Sequence, residues 1–273
     1  MLRMKNRITE LAGDMVPIFA DPAREYCYLS RVQRYRRIDG GARFSVLTND
    51  DEKMTFDVRF VSPYVVRARC YRPGEEPPID STVLIGGALR HESVDVEARE
   101  GRVVIRSDAF ELRVVRRPFH YGVFDLKGKK LLVQQIGDVT DSRLVSLPLG
   151  CSRDSRGRVA FHESFELAPD ELLHSPEHGT ADLRGHRIVS RPGDAGGADA
   201  ARLSSSFIWS SRGYGVFVHH AGEVVYELGC PSSITCSFRV EDAHLDYSVV
   251  FGADAEEIMA RYAGIGDRGA ASR

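Results

Sequence analysis

The chain has 273 residues, a formal net charge of −2 and 42% hydrophobic residues, enough for one sizeable β domain with a buried core. A charge so near neutral excludes an electrostatic nucleic-acid binder, whose affinity rests on an excess of clustered Lys and Arg. Neutral ligands such as sugars suit it better, and nothing in the composition calls for a cofactor.

Residues 1–25 carry scattered charges and no continuous apolar run. They read as a short helix or ordered arm, not as a secretion signal or a membrane span. Strands are expected from Tyr26 to Val32 and from Phe44 to Leu47, with Asp39-Gly40-Gly41 turning between them. Arg31, Arg34, Arg36 and Arg37 form a basic cluster that suits the solvent face of a strand, with Asp50, Asp51 and Glu52 close by to balance it. From Met54 to Tyr71 the alternation is strong and broken only at Ser62-Pro63, so two strands are expected. The stretch RPGEEPPID, residues 72–80, is rich in Pro and acid and reads as a surface loop. At least four short strands follow between Ser81 and Phe124, with turns at Gly86-Gly87, Glu100-Gly101 and Ser107-Asp108, and one more hairpin turn at 125–128.

Between residues 172 and 206 the regular pattern lapses, and Gly, Pro, Ser, Asp and His dominate. A structureless run of that length is uncommon in a compact domain unless it is functional or disordered. His174, Glu177, His178, Asp182 and His186 cluster here, with Arg184 among them. The two histidines at i and i+4 would hold a divalent metal on a helix, but Pro176 and Gly179 oppose a helix, so no metal is expected. A polar loop facing a sugar or facing water is the reading kept. Trp209, the single tryptophan, would stack on a sugar or fill a core or interface position. Residues 207–251 read as a run of antiparallel hairpins. His219 and His220 point to opposite sides of their strand, so only one of them can enter any single site. At the end, Asp254 and Glu257 form a capping-box-like start, Ile258 and Tyr262 share a face, and Gly264 closes a short helix. Five cysteines, Cys27, Cys70, Cys151, Cys230 and Cys236, show no CxxC spacing and read as reduced thiols of a cytoplasmic protein.

Several stretches, in their order, resemble the amino-terminal β-sandwich of glycoside hydrolase family 31, the α-glucosidase and α-xylosidase group. They are VEAREGRVVIRSDAFELRVVRRPFHYGVFDLKGKKLL, FHESFELAPDELLH, SSRGYGVFVHH with ELG, SFRVE with LDYSVVFG, and DAEEIMARYAGIGDR. The likeness runs over roughly Val58 to Tyr262. It implies an all-β chain: an antiparallel, galactose mutarotase-like supersandwich over 26–253, a C-terminal helix over 254–264 and a tail over 265–273. In that family the loop after the FHESF strand carries a Gly-Leu-Gly-Glu type turn that helps to bound the sugar pocket. Here His174-Ser175-Pro176-Glu177-His178 stands in its place and only Glu177 keeps the character, which puts the usual substrate contact in doubt.

The family's catalytic carboxylates reside on a (β/α)8 barrel reached through the closing helix, and the residues after Gly264 do not continue in that manner. The resemblance therefore implies a carbohydrate-associated module that is not hydrolytic alone and pairs with a separate barrel subunit or with itself. A second reading is a sandwich recruited as an enzyme on a sugar or other small molecule through His174, Glu177 or His178. By analogy in shape with the aldose mutarotases, His162 with Glu163 or Glu166 would serve as acid and base, and parity puts His162 and Glu166 on one face. A third is a fragment with an exposed former interface.

Overall fold

The computed structural model describes residues 23–77, 93–135, 147–191, 202–203 and 205–266. The opening strands are β1 (Arg24–Ile38), β2 (Gly41–Thr48), β3 (Lys53–Ser62) and β4 (Val65–Tyr71). A meander follows: β5 (Asp95–Arg99), β6 (Arg102–Arg106), β7 (Phe110–Arg116), β8 (Phe119–Asp125) and β9 (Lys130–Val133). Next come β10 (Gly150–Asp154), β11 (Val159–Glu166), β12 (Leu173–His174), β13 (His186–Ser190) and β14 (Arg202–Leu203). The chain closes with β15 (Phe207–Ser210), β16 (Tyr214–Val218), β17 (Val224–Leu228), β18 (Thr235–Val240), β19 (His244–Phe251) and the helix α1 (Ala255–Gly266).

One sheet runs in the order β12-β15-β16-β19-β4-β3-β2-β1-β10-β11-β18-β17-β13-β14, and β5 to β9 form a second sheet in sequence order. The spine is β1. Its residues Arg24 to Tyr28 pair with β10, and from Leu29 onward it pairs with β2, with register shifts after Leu29 and after Val32. Such bulges bend and twist a strand, so one strand serves two differently oriented half-sheets.

Strict alternation supplies the core. On β3, Met54, Phe56, Val58 and Phe60 point inward, and on β19 Leu245, Tyr247, Val249 and Phe251 do the same. The half-sheets and the meander meet through their rings. Phe56 of β3 packs edge-on against Phe119 of β8 at 5.3 Å, and Phe165 of β11 lies edge-on to Tyr247 of β19 at 6.2 Å. Each such buried side chain contributes about 1.5–3 kcal/mol of transfer free energy. A smaller cluster forms on the outward face, where Ile258 and Ile265 of α1 cover Val61, Val65, Phe207 and Val250, and Tyr262 stacks on Phe207 at 3.8 Å. The helix begins as expected, with Asp254 accepting from the Glu257 N–H at 2.9 Å and Glu257 reaching back to the Ala253 N–H at 3.1 Å.

The fold is the expected antiparallel β-sandwich, with differences in detail. The first strand begins at Arg24 and continues to Ile38, well past Val32. The 172–206 stretch is not structureless: β13 pairs along its length with β17. Its two leading residues, His186 and Arg187, are exposed, which hid the period of two. In the 72–80 stretch, Pro73 to Glu76 form the expected exposed loop, anchored where Glu76 accepts from Arg43 and Arg69 and Pro77 is buried. The balance of charges at β1 is borne by Arg31, which pairs with Asp51 at 2.6 Å. His219 and His220 are both half-buried and have different partners, His219 bonded to Ser248 at 2.7 Å and His220 facing Asp242 at 3.2 Å. The helix runs past Gly264 to Gly266. The N-terminal arm up to residue 22, the Gly86-Gly87 turn with its strands and the tail from residue 267 lie outside the described residues.

Candidate functional site

The polar loop grows out of β12, a strand of two residues that pairs with β15 so that His174 stands opposite Trp209. The two rings lie 4.2 Å apart at 32°, with His174 buried and Trp209 half-buried. His174 Nδ1 lies 2.9 Å from the Ala181 carbonyl, so a neutral ring carries its proton there and leaves Nε2 as an acceptor. Two of the candidate ligand residues also brace the loop. The Asp182 carboxylate accepts from the backbone N–H of Leu173 at 3.1 Å and of Arg184 at 3.0 Å. The Arg184 guanidinium donates to the carbonyls of Ala168, Pro169, Glu171 and Ser233, tying the loop to its neighbours. Around them, Glu177 accepts from the Ser205 N–H, His178 meets the Ser175 hydroxyl, and His186 lies 3.2 Å from the carbonyls of Leu183 and Arg184. The structure thus joins His174 with Trp209, and spreads Glu177, His178 and His186 along an exposed rim. Among the described residues no group of three or more His, Cys, Asp or Glu is placed to hold a metal ion.

His162 and Glu166 do not form a pair. An isolated bridge between Gln134 and Phe165 draws β9 alongside the end of β11, and Glu166 there meets Lys130. His162 instead lies at the floor of a pocket on the outward face of β11, where burial, helped by Arg239 and Arg24, pushes its imidazole down to about 3. Glu163 turns the other way, into the core. It accepts from Gln134 Nε2 at 3.0 Å, the Ser164 N–H at 2.8 Å and the Tyr247 hydroxyl at 2.8 Å, and Tyr247 meets Tyr121 at 2.5 Å. Burial raises Glu163 to about 7 against the pull of those donors. Neither the pocket walls nor the Glu163 network was singled out in sequence, because each is assembled from strands far apart in the chain. The one local signal is an acid at the inward position between Phe161 and Phe165.

No family model matches the sequence. It is 29% identical over 103 residues to alpha-xylosidase XylQ of Lactiplantibacillus pentosus and 38% identical over 65 residues to an alpha-xylosidase of Emericella nidulans. Those stretches take in 37% and 24% of this chain but only 14% and 8% of the two enzymes. The fold superposes on the cycloalternan-forming enzyme of Listeria monocytogenes with a TM-score of 0.72, at 18% identity, over 89% of this chain and 22% of that one. The sandwich fold is shared with family 31 glycoside hydrolases. A family 31 dextranase of Flavobacterium johnsoniae shares it with a TM-score of 0.66, at 20% identity, over 86% of this chain and 28% of the enzyme. A family 31 α-xylosidase from a soil metagenome shares it with a TM-score of 0.60, at 19% identity, over 88% and 34%. The chain thus spans only about a quarter to a third of the length of these enzymes, and no (β/α)8 barrel occurs among the described residues.

Proposed function

We propose that this chain serves as the carbohydrate-associated sandwich of an α-xylosidase-like assembly, bordering a sugar site with its His174–Trp209 corner and leaving hydrolysis to a barrel. That barrel acts either in the same polypeptide or as a separate subunit. The observation that carries the reading is sequence identity to two α-xylosidases in a chain with the family 31 sandwich fold. The chemistry of the carboxylates supports it. Glycoside cleavage requires two carboxyl groups about 5–10 Å apart flanking one sugar. The buried acids here serve the sandwich itself: Asp57 and Asp246 pair with arginines, Glu163 lies in the core, and Glu171 accepts from Ser210, Tyr214 and the Ala168 N–H. At the corner, an indole face suits sugar C–H groups and the acceptor nitrogen of His174 suits a hydroxyl.

Trp209 is the only tryptophan, so its emission reports this corner alone. Titration with methyl α-D-xyloside is expected to change that emission saturably, and His174→Ala is expected to weaken the response about tenfold, the worth of one hydrogen bond and a stacked ring. An unresponsive Trp209, together with failure to co-purify with a family 31 barrel, would reject the reading.

A further inference from the structure

Cys27 of β1 and Cys151 of β10 stand directly opposite each other on the seam that joins the two half-sheets. They are 124 positions apart in the chain, yet their sulfurs face each other at 3.0 Å. Directly opposed residues of an antiparallel pair have Cα atoms about 4.5–5.5 Å apart, inside the span that a disulfide bridges. The backbone is therefore already placed for a bond, and only the side chains need to turn. Both thiols are free and nearly enclosed, Cys27 at 8% exposure and Cys151 at 2%.

A third group sets the chemistry. Arg72, the half-buried residue that follows β4, holds a guanidinium nitrogen 3.8 Å from the Cys151 sulfur. A guanidinium in that place favours the thiolate at Cys151. The contact between the sulfurs, with burial, keeps the proton on Cys27, which makes Cys27 the S–H donor of the pair. An attacking thiolate beside a protonated resolving thiol is what two-step oxidation requires.

We propose that Cys27 and Cys151 form a peroxide-sensitive site that closes to a reversible disulfide and ties β1 to β10. The Cys151 thiolate attacks hydrogen peroxide, keeping one oxygen as a sulfenic acid while the other leaves as hydroxide and takes up the proton that Cys151 had lost. The Cys27 sulfur then displaces the sulfenic hydroxyl, which departs with the Cys27 proton as water. Two thiols are oxidised to one S–S bond and one peroxide is reduced to two waters. Peroxide, little larger than water, is small enough to pass a half-buried arginine where aromatic disulfide reagents are not.

The test uses the Cys230→Ser chain, which lacks the one cysteine that is not buried. The folded protein is exposed to hydrogen peroxide in modest excess, quenched with catalase, and its remaining thiols are alkylated in denaturant for mass spectrometry. Cys27 and Cys151 are expected to escape alkylation as a linked pair of peptides, and dithiothreitol is expected to restore both thiols. Closure of so long a loop is expected to raise the urea midpoint by about 1 M or more. Arg72→Met is expected to slow the link about tenfold at neutral pH and to move its rate profile toward higher pH, which a merely structural arginine would not do. Cys27→Ser is expected to leave a sulfenic acid on Cys151 that dimedone captures. Should that variant fail to fold, the link in the Cys230→Ser chain decides alone. Full alkylation of Cys27 and Cys151 after a treatment that oxidises free glutathione overturns the proposal, and so does a link made through Cys70 or Cys236 instead.

Discussion

Glu163 sits between Phe161 and Phe165 on the inward face of β11, with no solvent exposure and with donors on three sides. Burial lifts its carboxyl from an ordinary 4.5 to about 7 in the folded chain, and this has a definite thermodynamic sign. Below the unfolded value both states hold the proton and there is no penalty. As pH rises toward 7 the unfolded chain releases its proton while the folded chain retains it, so stability falls by about 3 kcal/mol, then levels off. Glu163→Gln removes that term. The difference in unfolding free energy between variant and parent, taken from urea melts at several pH values, is expected to move in favour of the variant between about pH 4.5 and 7. A difference independent of pH would show that Glu163 is not held protonated. The thiols offer a second check at this scale. Cys27 and Cys151 face each other at 3.0 Å, and that contact, with burial, pushes the Cys27 thiol far up. Cys70 and Cys236 are raised by burial as well. One thiol in five, Cys230, is expected to react quickly with Ellman's reagent in the native chain and the rest only on unfolding.

Among the elements, β1 and the β4–β19 pair matter most. Gly150 of β10 crosses β1 so closely that an added Cβ would lie 2.1 Å from the Cys27 carbonyl oxygen, a backbone atom that cannot yield. Gly150→Ala is therefore expected to cost about 2 kcal/mol or more by forcing apart the seam that joins the half-sheets, measured by urea denaturation. Between β4 and β19, Arg67 grips Asp246 through two bonds of 2.8 and 2.6 Å in a nearly buried setting. Burial acts to raise the Asp246 carboxyl, yet the Arg67 contact holds it below its ordinary value, so this stabilisation is present at neutral pH and is lost as acid protonates Asp246. Arg67→Met alone strands the carboxylate and is expected to cost about 3–5 kcal/mol, whereas Arg67→Met with Asp246→Leu is expected to recover most of it. Strands with clear alternation, such as β3, were legible in the sequence because burial of one face writes the period directly. The short β13 was not, since two of its five residues face water. The partnership of Tyr26 with β10 was not legible either, because strand pairing across more than a hundred residues leaves no local trace.

At the scale of the whole molecule, a continuous sheet turned on β1, the meander and a capping helix leave the described residues without a barrel on which two catalytic carboxylates would stand. The order of the family's strand motifs made that architecture readable. The two places where polar chemistry gathers were less so. The His174–Trp209 corner needed the β12–β15 pairing, and the His162 pocket needed β1, β13, β17 and β18 to come together. On the proposed reading, the sandwich borders a sugar site while the chemistry of cleavage belongs to a barrel. The most direct test is the release of para-nitrophenol from para-nitrophenyl α-D-xyloside by the purified chain alone. The expected result is no release above the buffer rate. Turnover that survives purification and disappears when a carboxylate of the sandwich is changed to its amide would contradict it.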